Sequence, residues 1–317
     1  MNFLSRKFTK FVCLIIALLT AVFPVSCKKD DVKTEYFAFP SWEAALYSVE
    51  DGSFDVAVVD SIYANYYINT LNHDKLTILK GDDFRFLSEE YSIATKKGSN
   101  VTDYLNAAIY HFQYNTASVK HSNQAGVLDV KIDDVAALFG LSDNLLTIEK
   151  PQTEIDTPYS PDSAWAKIMQ LDHTFTIGIT LENNNSKSYS NLPVVFFSHK
   201  GGMDGFEILL TRAIGNIYGK TVDGANCRPV NWDERKNAIE NGDVDLFIGG
   251  FNKETMGKND FDFTLPYLKN SQVLVVRKTD AESYSDLSSI KGKKITAAQS
   301  SKGERVYNEF LLDYINE

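Results

Sequence analysis

Cysteine is nearly absent from this sequence. Of 317 residues only Cys13, Cys27 and Cys227 carry a thiol. Cys13 lies in an apolar run near the N-terminus and Cys27 just after it. If that run is a leader, Cys227 alone remains for the folded part, which excludes an internal disulfide. A catalytic thiol needs an activating base. Cys227 sits in a loop-and-strand stretch with no histidine nearby, so the expectation is a structural or incidental thiol. Histidine is equally sparse. His73, His111, His121, His173 and His199 are the full set, and none is spaced from another or from a cysteine as metal ligands are. Basic charge is short as well: 32 Lys and Arg face 42 Asp and Glu, for a net charge of -10. A nucleic-acid partner calls for a basic face, and no Lys/Arg stripe supplies one. There is no Gly-x-Ser-x-Gly elbow, phosphate loop or dinucleotide fingerprint. These absences lead us to expect a protein that is not an enzyme, with no metal and no cofactor.

What is present begins with an export signal. Arg6, Lys7 and Lys10 precede an apolar run, Phe11 to Phe23, of about a dozen residues, too short to span a bilayer. Residues 1–26 therefore read as a signal peptide. Its removal takes three cations and leaves the mature chain near -13. Residues 27–34 read as a tether, which spans roughly 25 Å when fully extended.

The body is an ordinary globular composition, 44% hydrophobic. Trp42, Ala45, Leu46 and Val49 have helical spacing, closed by Asp51-Gly52. Phe54–Val59 is an apolar, Val-rich run suited to a buried parallel strand. A helix over 62–68 and a strand over 76–79 continue the alternation. Tyr91–Thr95 reads as a strand, 101–114 as an amphipathic helix, 116–126 as a polar loop and 132–139 as a short helix. Residues 143–173 hold Pro151, Pro158 and Pro161 and read as a linker. Alternation then returns: strands over 174–180, 244–248, 271–277 and 294–298, and helices over 205–218, 232–239 and 304–315. The pattern predicts an α/β protein with parallel sheets covered by helices.

In order along the second half come Thr176–Thr180, Gly205-Phe206, Asn231-Trp232-Asp233, Gly242–Asp245, Asp262–Tyr267, Val273–Arg277 and Leu287–Ile295. Together they resemble the first half of the bacterial extracellular solute-binding proteins, family 3, which serve polar amino acid ABC transporters. Ala44–Leu46, Gly52–Asp55, Val58–Ser61, Leu87–Tyr91 and Lys97-Gly98 resemble that family's second half. The resemblance implies two Rossmann-like lobes joined by a two-segment hinge, the type II periplasmic binding protein fold. The halves stand in inverted order, as in a circular permutation, with a tandem of two domains as the rival. One lobe would be continuous over 88–276. The other would combine 35–87 with 277–317. The hinge segments would lie near Leu87–Tyr91 and Arg277–Thr279. A small residue followed by Cys27 resembles the lipobox of bacterial lipoproteins, which implies acylation at Cys27. Lys28-Lys29-Asp30-Asp31 resembles a surface-export run of Bacteroidetes lipoproteins, or is a solvated tether. The implied partners are a small polar solute, a membrane through the lipid, and an ABC permease.

Ligands of open parallel sheets sit past the carboxyl ends of strands. Asp60 follows one such strand. The resemblance gives it the ligand's ammonium, and an N-cap of the next helix is the other reading. Ser300, Ser301 and Lys302 open the last helix and match the family's turn for a ligand carboxylate, or form a plain capping turn. Gly249, Gly250 and Asn252 match its backbone and side-chain contacts. Glu182 and Phe196, with Phe197, fall where the family has an acid and a stacking aromatic, although the two aromatics suit a core better than a ligand platform. Trp42 and Trp232 read as helix packing. The family's carboxylate-gripping Arg falls at Met256 or Gly257, and no Arg is there; Lys253 or Lys258 lacks the bidentate fork. That departure weighs against an ordinary α-amino acid ligand. A ligand-sensing lipoprotein without transport, and a dehydratase-like enzyme on the same fold, are the alternative expectations.

Overall fold

The computed structural model describes residues 34–120, 126–181, 190–198, 202–222, 226–254 and 257–316. The signal, Cys27 and Glu182 lie outside the described residues.

Strand β1 (Glu35–Phe39) leads to helix α1 (Trp42–Glu50), started by Ser41, whose hydroxyl accepts the Ala44 amide at 3.2 Å. Strand β2 (Val56–Asp60) is buried along its whole length, and helix α2 (Ser61–Asn65) begins directly after it. Strand β3 (Leu76–Ile78) and strand β4 (Arg85–Tyr91) follow. Beyond them come β5 (Ala94–Lys96), helix α3 (Val101–Tyr114), β6 (Ala117–Val119), β7 (Leu128–Val130) and helix α4 (Ile132–Leu138). Helix α5 (Ala164–Met169), β8 (Ile177–Leu181), β9 (Ser190–Asn191), β10 (Val195–Phe197) and β11 (Met203–Asp204) precede helix α6 (Phe206–Ile217). The chain closes with β12 (Cys227–Asn231), helix α7 (Arg235–Glu240), β13 (Leu246–Ile248), β14 (Phe261–Phe263), β15 (Leu268–Arg277), β16 (Lys294–Ala298) and helix α8 (Lys302–Val306), which runs on helically to Asn316.

Two larger sheets organise these elements. The first has the order β1-β16-β2-β15-β3, with β4 also paired to β15. Its β1, β16 and β2 are parallel, and β15 runs antiparallel to β2, β3 and β4. It draws on both ends of the described chain: Glu35 on β1 stands opposite Lys294 on β16. Both of its faces are covered, which explains the unbroken apolar runs. Val56, Val58, Leu274 and Ile295 pack toward Val306 and Leu311. Ala57, Val59, Val273 and Val275 pack toward Leu46 and Val49 of α1 and Tyr67. The second sheet has the order β12-β8-β13-β5-β14, with the first three strands parallel and β5 antiparallel to both of its neighbours. At Gly178 on β8 a Cβ would overlap the Phe247 ring, so only glycine lets that ring lie across the strand.

The structure moves the crossings between the sheets. The sequence places one near Leu87–Tyr91, and β4 does end at Tyr91. The other was expected at Arg277–Thr279, yet β15 belongs to the first sheet along its full length. The Arg277 guanidinium is fixed inside that unit by Asp55 at 3.1 Å and Asp280 at 2.7 Å. The chain instead crosses at Ser92-Ile93 and at Thr264–Tyr267. There the two segments run side by side: Tyr267 N donates to Tyr91 O at 3.1 Å, and Thr264 N to Ile93 O at 3.0 Å.

The segment expected as a linker is also different. Residues 143–173 include α5, and Trp165 on it is buried, stacked on Tyr104 of α3 with centroids 4.9 Å apart. The Tyr104 hydroxyl donates to the carbonyls of Thr157 and Pro158. Pro and Ser made the stretch look loose, but one Trp anchors it. The polar loop at 116–126 likewise contains β6, which pairs with β7, and Ala117 and Val119 are buried.

Candidate functional site

The end of β2, the crossing strands and the start of α8 bring a polar group together. Asp60 is buried at the end of β2. Its Oδ1 accepts the amides of Ile62 and Tyr63 at 3.1 and 3.2 Å, so it caps α2. Its Oδ2 accepts the Asn270 side-chain amide at 2.5 Å. Burial pushes the Asp60 pKa up to about 6, against the pull of Asn270 and the Tyr63 amide; Glu89 adds to the rise and Lys302 opposes it. Asp60 is therefore the N-cap of α2, and its other oxygen is held by Asn270 within this cluster.

Asn270 lies next to a bulge in β15 and joins four side chains. Besides Asp60, its amide lies 2.9 Å from Glu89 Oε1 and 2.9 Å from the Tyr91 hydroxyl. Its carbonyl accepts from the Ser61 hydroxyl at 3.0 Å. Ser61 in turn accepts from Asn144, whose side chain also reaches Asn65. Glu89 is the hub. Its side chain is only 7% exposed, while that of its partner Lys302 is 48% exposed. Lys302 Nζ reaches both Glu89 oxygens, at 2.7 and 2.6 Å. The Asn252 amide, from the other sheet's side, donates to Glu89 Oε2 at 3.1 Å. Ser61, Glu89, Asn144, Asn252, Asn270 and Lys302 all line one polar cleft of about 1280 Å³.

A second buried acid lies close by. Glu207, in the first turn of α6, accepts the Gly249 amide at 2.5 Å, the Gly250 amide at 3.1 Å and the Tyr267 hydroxyl at 2.6 Å. Burial raises its pKa to about 7, against the pull of Tyr267 and the two amides. Burial, reinforced by Glu207, raises Tyr267 well above an ordinary phenol.

Of the residues the sequence singled out, Asp60, Asn252 and Lys302 meet in this cluster. The Gly250 amide is directed to Glu207, so that amide is committed within the protein. Ser301 caps α8, accepting the Glu304 amide at 3.2 Å, and the Ser300 amide donates to Glu304 Oε2 at 2.6 Å. These two serines line a separate shallow depression with Arg305 and Asn308. Phe196 is in the small β9-β10-β11 sheet, paired with Asp204 and set edge-on to Phe139 at 6.2 Å, away from the cluster. Trp42 packs on Tyr63, and Trp232 lies under the Arg235 guanidinium. Lys253 lines the cleft, whereas Lys258 pairs with Glu254.

Sequence reasoning missed Glu89, Asn270 and Glu207. Signals existed for two of them. Asn270-Ser271-Gln272 is a polar triplet inside a strand that is otherwise mostly apolar. Glu207 falls at helical spacing with the inward Leu210. No local signal marks Glu89, because its main partner is 213 positions away.

Two α/β sheets joined by paired crossing segments, with a polar cleft at the seam, define the type II periplasmic binding protein fold. A sequence model of the bacterial extracellular solute-binding proteins, family 3, matches residues 187–316. The match covers less than half of the chain, and over that segment the chain is similar to the family's solute-binding domain. Residues 36–142, which the sequence reading assigns to the family's other half, lie outside the match. No curated protein and no solved structure matches the chain. Among the described residues, no helix is long and apolar enough to cross a membrane, and no group of three or more His, Cys, Asp or Glu is arranged to hold a metal ion.

Proposed function

We propose that this protein is a lipid-anchored receptor that captures a small polar, amino acid-like solute in the cleft at the seam of its two sheets and presents it to an ABC permease. The observation that carries the reading is the ring of polar side chains around Glu89, contributed by β2, β4, β15 and α8 of the first sheet's unit and by Asn252, which follows β13 of the second. Contacts that span two units report their closure, and a ligand bound there would be held from both sides. The ring contains a carboxylate, an ammonium and side-chain amides, which suits a polar ligand. Two guanidiniums, Arg85 and Arg305, also line the cleft, but Arg85 reaches Ser271 and Arg305 pairs with Glu309 rather than bonding within the ring. Binding rather than turnover is the expected activity.

Cys27 would carry the lipid, so the anchor would enter next to β1. The meeting of β1 with β16 supports reading the chain as a circular permutation of the family's order, since both ends build one sheet. Termini that lie close together make such a rearrangement feasible.

The test is a thermal-shift screen of amino acids, small peptides and organic ions against the mature chain. A ligand that binds only the folded state raises the melting temperature. The reading requires at least one small polar solute to do so, and requires Asp60→Ala to weaken that shift. A screen in which every polar solute is silent overturns it.

A further inference from the structure

We propose that Glu89 is the site's receptor for a cationic group, and that Lys302 is a tethered stand-in for it, occupying Glu89 until a ligand ammonium displaces it. This rests on the cleft reading above and names the ligand chemistry that cleft takes.

The two partners are unequal. Glu89 is nearly buried and fixed in place. Asn252 and Asn270 donate to its oxygens, and the Tyr91 hydroxyl lies 3.4 Å from Oε1. Tyr91 is itself buried on β4. Lys302 is half exposed, and Glu89 is the partner of its ammonium. A lysine ammonium on a flexible four-carbon stem can swing into solvent when another cation takes its place. Glu89 cannot follow. Without a cation it would be a buried charge, and removing one partner of a buried pair is strongly unfavourable. Its remaining donors are neutral. Whatever displaces Lys302 must therefore bring positive charge.

Asp60 strengthens the requirement. Its Oδ2 and Glu89 Oε1 accept from the same Asn270 amide, at 2.5 and 2.9 Å. Two carboxylates bridged by one neutral amide repel each other unless a cation is near. The Lys302 ammonium fills that need. The backbone is consistent with a shaped site. Among the described residues three non-glycines have positive φ, and two of them, Leu87 at 48° and Ser300 at 59°, each stand two residues before a member of the pair. Strained positions of this kind persist where surrounding structure holds them for a purpose.

The experiment is isothermal titration of the mature chain with butylammonium, 1,4-diaminobutane and L-lysine, and with acetate as the anionic control. It is run on the unaltered protein, Lys302→Met and Glu89→Gln, with circular dichroism to establish that each variant folds. Lys302→Met should bind the ammonium probes at least about fivefold tighter, because the tethered competitor is gone. Glu89→Gln should lose that binding, and acetate should bind none of the three. The proposal is overturned if Lys302→Met binds ammonium no better than the unaltered chain, if Glu89→Gln binds as well, or if Lys302→Met fails to bind the probes at all. Should Glu89→Gln not fold, the double variant Glu89→Gln/Lys302→Met removes both charges together, and retained ammonium binding there overturns the proposal equally. The two readings fail separately. A solute whose binding depends on Asp60 but not Glu89 leaves the receptor reading standing and removes this one. Ammonium binding to Lys302→Met, with every natural solute silent, does the reverse.

Discussion

The Tyr267 hydroxyl donates to Glu207 Oε1 at 2.6 Å, and both residues are fully buried. The bond ties the start of α6 to the segment that crosses between the sheets. The same carboxylate holds the Gly249 and Gly250 amides at the end of β13. One acid therefore joins a helix, a strand end and a crossing.

That acid makes stability depend on pH in a stated direction. The folded-state pKa of Glu207 is raised from 4.5 to about 7. A raised group contributes its full stability below the unfolded pKa and loses it as pH rises through the folded one. Melting curves from pH 4.5 to 7.5 should show the unaltered protein falling relative to Glu207→Gln across that window, with the difference constant above it. A difference independent of pH would mean that Glu207 does not titrate there.

Removing the Tyr267 hydroxyl tests the same junction from the other side. Tyr267→Phe keeps the ring and deletes one hydrogen bond to a buried acid, a loss of roughly 1.5–3 kcal/mol. Urea unfolding should show it as a lower midpoint with an unchanged slope. The slope matters because a change in it would mean altered compactness instead.

The Asp60 carboxylate is held by the Ile62 and Tyr63 amides and by the Asn270 side chain. Asp60→Ala removes a helix cap, about 1 kcal/mol, and leaves the Asn270 amide with one acceptor fewer. Asp60→Asn retains an oxygen for the cap. Urea unfolding should place Asp60→Ala below Asp60→Asn by about 1 kcal/mol or more, and equal stabilities would remove the cap from the account. The unaltered chain should also lose stability relative to Asp60→Asn as pH rises from 3.8 through about 6.

The legible parts of this protein are those whose cause is local. Val56–Val59 is an apolar run and Ile295–Ala298 is one but for Thr296, and each is buried between neighbours in a sheet. Ser41 and Asp60 stand where caps belong, and both cap. What stayed hidden depends on distance along the chain. That β15 turns wholly into the first sheet is decided by its pairing with β2 and β4, not by its own sequence. Glu89 in Leu87–Tyr91 looks like a surface acid until α8 brings Lys302 over it. The β9-β10 pairing is two short strands with no alternation to read, so the sequence leans to core for Phe196 without excluding a platform.

The stretch 143–173 offers a sharper test of composition against packing. Were it a loose linker, truncating Trp165 would change little. Trp165 is buried, stacks on Tyr104 and meets Tyr218 edge-on with centroids 4.7 Å apart. Trp165→Ala should therefore destabilise by about 3–5 kcal/mol, as loss of a buried aromatic does. Chemical denaturation measures it directly, and a loss below 1 kcal/mol would restore the linker reading.

The closest packing in the first sheet's unit supplies the last prediction. Gly303, in the first turn of α8, rests against β2 so tightly that a Cβ there would overlap the Val58 carbonyl oxygen. The obstacle is backbone in the middle of a sheet, paired on both sides, so it cannot yield as a side-chain tip would. Gly303→Ala must lift the start of α8 away from β2, and overpacking of this kind costs about 1–3 kcal/mol. Helix propensity favours alanine over glycine by up to about 1 kcal/mol, which offsets part of that. The net expectation is a lower melting temperature. Because Lys302 is the preceding residue, the same displacement should loosen its contact with Glu89, visible as a changed chemical shift of the Lys302 ammonium. A stabilised Gly303→Ala protein would show that α8 does not press on β2.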